Sequence, residues 1–353
     1  MPARGYENLK MTFFDKSFQI DAFEQESVSQ LLAAASRAVT NPIESGYHVK
    51  TSAIGDDGQI VSGGNREYGL SRAHAHGEES VVNRFKSVYG NEAHIVGIGF
   101  YGGNPEKEEV SMISPCGNCR DVLIAETSSN LLVVSGNERI ATIARLSSFL
   151  FDAQASKEAL DEFEKQQINE QALDFAKSAL EASVRTYLKE GYNKDRAYGV
   201  SLVDSEGLIF PGSLYTTAGY DATSPGVAAI QSYRNRPSFA TSEYRKVSPI
   251  ETVVVVRKSE RGELPDVLYR DRNAILEHDE TTGFKDPGKG PAKVYLVGID
   301  NSDTIRNLAA TDVLEWLPFP FTNNALGMTQ AIRDQYESLQ KGMDNPDHGK
   351  SPA

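Results

Sequence analysis

Apolar positions first recur at helical spacing over residues 25–39, where Val28, Leu31, Leu32 and Ala35 share one face and Asn41-Pro42 ends the run. Residues 49–54 alternate apolar and polar, Asp56-Asp57-Gly58 supplies a hairpin turn, and residues 59–62 return. Gly63-Gly64-Asn65 bends the chain. A helix is expected from Glu78 through Val81, Val82 and Phe85, followed by a buried strand over 95–100. A segment ends at Ser111-Met112-Ile113, Ser114-Pro115-Cys116 opens a helix through Val122 and Leu123, and residues 131–134 form a further strand. Helices interleaved with strands predict a layered α/β domain. The first ~20 residues lack such a pattern and read as an irregular arm.

Residues 151–171 are rich in Glu, Lys, Gln and Ala and read as a connecting helix, after which the pattern restarts. A helix is expected over 173–188 and an alternating strand over 197–203. Asp204-Ser205-Glu206-Gly207 turns, and residues 208–210 return to Gly212. Strands follow at 251–256 and 294–297. Between them, residues 258–290 are charged and contain Gly and Pro, which predicts a long excursion. Gly58-Gln59-Ile60-Val61-Ser62-Gly63 matches Gly207-Leu208-Ile209-Phe210-Pro211-Gly212 at an offset of 149, which also sets Leu31 on Leu180. Both halves end alike, in Leu146-Ser147-Ser148-Phe149 and Leu317-Pro318-Phe319. A duplicated domain follows: an arm at 1–24, a first domain at 25–151, a linker helix at 152–171, a second domain at 172–326 and a loose tail at 327–353.

A length of 353 residues suits two domains better than one. No apolar run approaches the ~20 residues that span a bilayer. Residues 1–10 are polar and carry no signal-peptide core, so cytoplasmic residence is expected. The net charge of −13 is the wrong sign for gripping a polynucleotide and is compatible with a small neutral substrate.

The only cysteines, Cys116 and Cys119, are three residues apart, which reads as half a metal site or a redox pair rather than a disulfide framework. They share a face at the start of a helix, whose N-terminal end favours the thiolate forms that bind metal. His76 and Glu78 stand at the entrance of the preceding helix. A neutral imidazole and two thiolates balance a divalent cation and leave a fourth position open, the arrangement of a catalytic zinc site. Glu78, two residues beyond the histidine, can reach that open position without being a ligand. A closed, structural zinc site would recruit His74 as a fourth ligand. His48 and His94 read as ordinary polar or packing residues, and His278 and His348 as parts of charged, loose stretches.

His76-Gly77-Glu78 followed by Pro115-Cys116-Gly117-Asn118-Cys119-Arg120 resembles the His-x-Glu…Pro-Cys-x-x-Cys pattern of zinc deaminases. The chain is similar to the cytidine deaminase family in its two-domain form, with an active first domain and a degenerate second one. That resemblance implies duplicated three-layer α/β/α domains, each with a mixed sheet of about five strands. It implies Zn2+ as cofactor on His76, Cys116 and Cys119, Glu78 as acid–base, and a homodimer acting on a cytosine nucleoside. Gly63-Gly64-Asn65-Arg66-Glu67 resembles the family segment whose Asn and Glu bind sugar hydroxyls, which points to Asn65 and Glu67. Tyr47 falls where an aromatic residue lies against the base, with Gly77 and Ser114 also beside the substrate. The chain departs from the pattern in Gly77 for Ala, Glu79 for Gln or Arg, Asp121 for Gln, and residues 42–46 before Tyr47. These departures imply an altered base pocket. The alternatives are a deaminase acting on nucleic acid and a noncatalytic module stabilised by zinc.

Overall fold

The computed structural model describes residues 6, 8–15, 18–43, 48–67, 75–102, 113–150, 168–190, 197–216, 222–234, 248–283 and 290–317. The chain divides into two compact units. One holds Met1–Asp152 with Leu268–Arg270 and Leu317–Phe319, and the other holds the remainder.

The first unit contains β1 (Lys10–Phe13), α1 (Ala22–Ser36), β2 (Lys50–Gly55), β3 (Ile60–Gly64), α2 (Gly77–Tyr89), β4 (Ile95–Tyr101), α3 (Gly117–Glu126), β5 (Leu132–Gly136) and β6 (Ile140–Arg145). A 3-10 turn, Leu146–Phe149, closes it. Its sheet runs β1-β6-β5-β4-β2-β3, with β4 parallel to β5 and β1 parallel to β6, and the other pairs antiparallel. Alternation sorts neighbouring side chains onto opposite faces. Ile54, Leu132, Val134 and Ile143 meet Val28, Leu31 and Leu32 of α1 on one face. Ala53, Ile98, Val133 and Ala144 meet Val81, Val82 and Phe85 of α2 and Leu123 of α3 on the other. The result is a three-layer α/β/α unit.

Helix α1 starts at Ala22, earlier than the apolar periodicity, because Asp21 forms a capping box with Glu24 (2.8 Å and 3.2 Å). Residues 10–13 are not an irregular arm. They add a sixth strand at the sheet edge, in register with Ile140–Ile143. Four residues are too few for a period-2 signal to stand out, and only the neighbouring edge makes the strand. Strand β6 also escapes the sequence pattern, since its alanines blur the alternation.

The second unit contains α4 (Glu170–Glu190), β7 (Tyr198–Asp204), β8 (Ile209–Gly212), a two-stranded ribbon of β9 (Tyr215–Thr216) and β10 (Ala222–Thr223), α5 (Pro225–Arg234), β11 (Ile250–Lys258), α6 (Tyr269–Gly283), β12 (Lys293–Ile299), β13 (Ile305–Asp312) and α7 (Val313–Trp316). Its five-stranded sheet runs β13-β12-β11-β7-β8, with β11 and β12 parallel and the rest antiparallel. Order and direction repeat those of β6-β5-β4-β2-β3. The two hairpin turns match as well, with Gly58 at φ +80° and Gly207 at φ +77°. The duplication is therefore a property of the fold.

Two details of the repeat differ from the sequence expectation. Ser52 Oγ donates to the Leu31 carbonyl (2.7 Å), and Ser201 Oγ donates to the Ala172 carbonyl (2.7 Å). Leu31 therefore corresponds to Ala172 and not to Leu180, because α4 has 21 residues against the 15 of α1 and runs much further beyond the equivalent position. The excursion over 258–290 contains α6, whose Ile275 and Leu276 are buried; its many charges hide a two-residue apolar face. His278 rides on that helix, 3 % exposed and edge-on to Tyr233, not in a loose stretch. His348, the expected linker helix up to residue 167 and the expected tail lie outside the described residues.

Candidate metal centre

Helices α2 and α3 begin beside each other, and their caps are the expected ligands. His76 is the N-cap of α2 and Cys116 that of α3. Cys119 lies one turn further on and is fully buried. His76 Nδ1 is 3.2 Å from Cys116 Sγ and 3.3 Å from Cys119 Sγ, and the two sulfurs are 3.5 Å apart. A tetrahedral zinc with Zn–S of ~2.3 Å and Zn–N of ~2.0–2.1 Å needs donor separations of about 3.5–3.8 Å. Adjustments of a few tenths of an ångström reach that geometry, so the three residues fit a zinc ion. They are the one His/Cys/Asp/Glu group of this kind among the described residues.

Without metal, His76 and Cys116 each favour their charged form. Hydrogen bonding to Cys116 raises the His76 pKa to about 9. Cys116 is held well below its ordinary value, by its contact with Cys119 first and by His76 next. Burial pushes the Cys119 thiol up. Glu78 is 5 % exposed, and burial, reinforced by the Cys116 charge, raises its carboxyl to about 7. A buried carboxyl that exchanges its proton near neutrality, two residues from a ligand, has the properties of a general acid–base group.

Three supporting contacts hold this arrangement. The buried Arg120 donates from Nε to the Pro115 carbonyl (2.8 Å), from Nη1 to that of Phe149 (2.7 Å) and from Nη2 to Ser114 Oγ (2.8 Å). It fixes the Ser114-Pro115 turn that presents Cys116. Glu79 accepts from the His76 backbone N–H (3.0 Å) and from the Asn118 side-chain amide, so one carboxylate joins the two helix starts. The sequence reading placed Glu79 only as a departure from a pattern; the signal available was its capping-box spacing, three residues after the N-cap. Thr51 Oγ1 donates to the Gly77 carbonyl (2.8 Å). A Cβ on Gly77 would lie 2.8 Å from Thr51 Cγ2 and 3.2 Å from Val49 Cγ1. Gly77 therefore opens no extra space, because Thr51 and Val49 fill it.

Asn65 and Glu67 are buried, at 9 % and 7 % exposure. Asn65 Oδ1 accepts from the Val49 N–H (3.0 Å). Reciprocal backbone bonds between Arg66 and Ala75 (2.9 Å each) bring this segment alongside the residue before His76. Tyr47 and His74 lie outside the described residues.

The second unit has a different arrangement at the corresponding place. Arg272 donates from Nε to the Val267 carbonyl (3.0 Å) and from Nη1 to that of Trp316 (3.3 Å), repeating the contacts of Arg120. Each guanidinium lies against the ring it serves, at 5.7 Å from Phe149 and 5.5 Å from Trp316. The equivalent of Phe149 is thus Trp316, not Phe319. The residue before each arginine is Cys119 in one unit and Asp271 in the other. The fully buried Asp271 carboxylate accepts from Tyr198 Oη (2.6 Å), the Gly226 N–H (2.9 Å), the Val227 N–H (3.2 Å) and the Ser224 hydroxyl. It joins the starts of α5 and α6 by hydrogen bonds.

No protein-family model matches the chain, and no curated protein matches it. Among solved structures, it is similar to cytidine deaminase from Burkholderia pseudomallei, at 21 % identity over 34 % of this chain and 94 % of that one, with a TM-score of 0.31. It is also similar to cytidine deaminase from Mycobacterium tuberculosis, at 28 % identity over 34 % of this chain and 87 % of that one, TM-score 0.27. A third similar structure is cytidine deaminase from Mycobacterium leprae, at 18 % identity over 37 % and 98 %, TM-score 0.28. At these scores the likeness carries no functional argument. No helix among the described residues is long and apolar enough to cross a membrane.

Proposed function

We propose that the chain is a zinc-dependent hydrolase that deaminates a cytosine nucleoside to the uracil nucleoside with release of ammonia. The observation that carries this reading is the triangle of His76, Cys116 and Cys119 with the buried Glu78 carboxyl beside it. Zinc bound there supplies a Lewis acid that makes water more acidic at the open position. Glu78 takes one proton from the attacking water and gives it to ring N3, then takes the second from the hydroxyl added at C4 and gives it to the amine, which leaves as ammonia while the C4 carbonyl forms. Asn65 and Glu67 bind the sugar hydroxyls, Tyr47 lies against the base, and Gly77 and the Ser114 turn border the ring. Exclusion of phosphate from the sugar side follows from the Glu67 carboxylate.

The second unit, on this reading, is a degenerate copy. At an offset of 149, His76 and Glu78 become Pro225 and Val227, and no cysteine follows Cys119. Its role is structural, and the working form is a homodimer. The test is a panel of cytidine, deoxycytidine, cytosine and a cytosine-containing single-stranded oligonucleotide. Nucleosides should turn over fastest, and Glu67→Ala should raise KM for cytidine much more than for cytosine, which has no hydroxyls to lose. Preference for the oligonucleotide, or equal losses for cytidine and cytosine, would contradict the assignment.

A further inference from the structure

Arg37, Arg66 and Arg84 line one cleft of about 270 Å³, together with Gly63, Gly64 and Ser80. Acidic residues outnumber basic ones 49 to 36 in this chain, yet none of the described residues that line this cleft is acidic. Three other arginines find carboxylates: Arg145 pairs with Glu24, Arg257 with Glu263 and Arg306 with Asp300. Among the described residues, the three cleft arginines make no ion pair.

Two of them are held in place by backbone carbonyls that use only part of each guanidinium. Arg84 Nη1 donates to the Ser62 carbonyl (2.9 Å), and Arg37 Nε donates to that of Ala33 (3.1 Å). These bonds orient the groups and leave the other guanidinium N–H donors for a ligand. The backbone of Arg66 is fixed on both sides, by bridges to Asn41 and Ala75. Its side chain is exposed, whereas Asn65 and Glu67 are buried. Alternation along an extended segment sends Arg66 to the side opposite them. The cleft is therefore separate from the side proposed for the sugar.

We propose that this cleft binds the phosphate group of a small phosphorylated molecule. A carboxylate offers one negative charge and two oxygens, which one guanidinium fork saturates. A terminal phosphate offers close to two charges and three acceptor oxygens, which suits several forks converging in one concavity. The backbone of one cleft residue, Arg66, pairs with Ala75, the neighbour of the candidate ligand His76, but the binding claim does not depend on the proposed reaction.

The test is isothermal titration of the full chain with inorganic pyrophosphate at about 0.15 M salt, where loosely attracted ions are screened. One saturable site per chain is expected, and Arg66→Gln and Arg84→Gln should each weaken it at least several-fold, with the double variant losing it. Both side chains are exposed, so circular dichroism of the variants should match the parent. ATP and phosphoserine, titrated beside pyrophosphate, separate a nucleotide source from another phosphate ester. Absence of saturable binding, binding unchanged in both variants, or tighter binding per phosphate of a single-stranded oligonucleotide would overturn the proposal.

Discussion

Thr51 holds Gly77 from two directions: its hydroxyl bonds the Gly77 carbonyl, and its methyl carbon stands 2.8 Å from where a Cβ would be. The residue between the candidate ligand His76 and the proposed acid–base group Glu78 is thus fixed by packing from β2. Gly77→Ala should cost about 1–3 kcal/mol in stability, the usual cost of an extra carbon in a filled core. It should also lower turnover by displacing Glu78. Thr51→Ser removes the clashing methyl and keeps the hydroxyl, so the double variant should recover most of both losses. Denaturant unfolding and initial rates measure the two effects. A Gly77→Ala variant as stable as the parent would show that the site has slack on this side.

Glu78→Gln should bind zinc at unchanged stoichiometry while losing at least ~100-fold in kcat, because a proton carrier and not a ligand is removed. Its effect on the metal-free protein depends on pH. The Glu78 carboxyl rises from 4.5 to about 7 on folding, so the fold favours its protonated form. That contribution is fully present below the unfolded pKa and is lost as pH rises through about 7. Glutamine cannot ionise, so the variant should gain on the parent by roughly 2–3 kcal/mol between pH 5 and pH 8. Urea unfolding at the two pH values, with chelator present, gives the comparison. A gap that narrows toward pH 8 would contradict the buried, neutral carboxyl.

Metal removal and substitution of Asp271 should act on different units. Chelation releases the tie between the starts of α2 and α3, so amide exchange should quicken there. Gly226 and Val227, whose N–H groups bond to Asp271, should stay protected. Asp271→Ala should reverse the pattern and cost ~3 kcal/mol or more, since several buried donors lose their acceptor together. Hydrogen exchange read by mass spectrometry resolves the two regions. Equal loosening of both units on chelation would show that the second unit also depends on metal.

The candidate ligands were legible in the sequence because metal chemistry demands rare residue types at fixed spacing, and Cys116 and Cys119 are the only cysteines of the chain. The sheet was legible where strands are continuously buried, as at Val253–Val256, and illegible where an edge depends on its neighbour, as at Lys10–Phe13. Positioning groups stayed hidden for another reason. Arg120 acts mainly on the Pro115 and Phe149 carbonyls, and Glu79 in part on the His76 N–H, and a hydrogen bond to a backbone group leaves no partner residue type to recognise. Asp271 was hidden because its partners come from two separate stretches, at Tyr198 and at Ser224–Val227, that only the fold brings to it.

The most direct measurement is ammonia release from cytidine by the full chain carrying one zinc per molecule, followed together with the absorbance change of the base. The account predicts stoichiometric formation of ammonia and uridine, abolished by chelation and by Glu78→Gln and restored to the parent protein by added zinc. Zinc bound at one per chain with no ammonia formed from cytidine or deoxycytidine would contradict it.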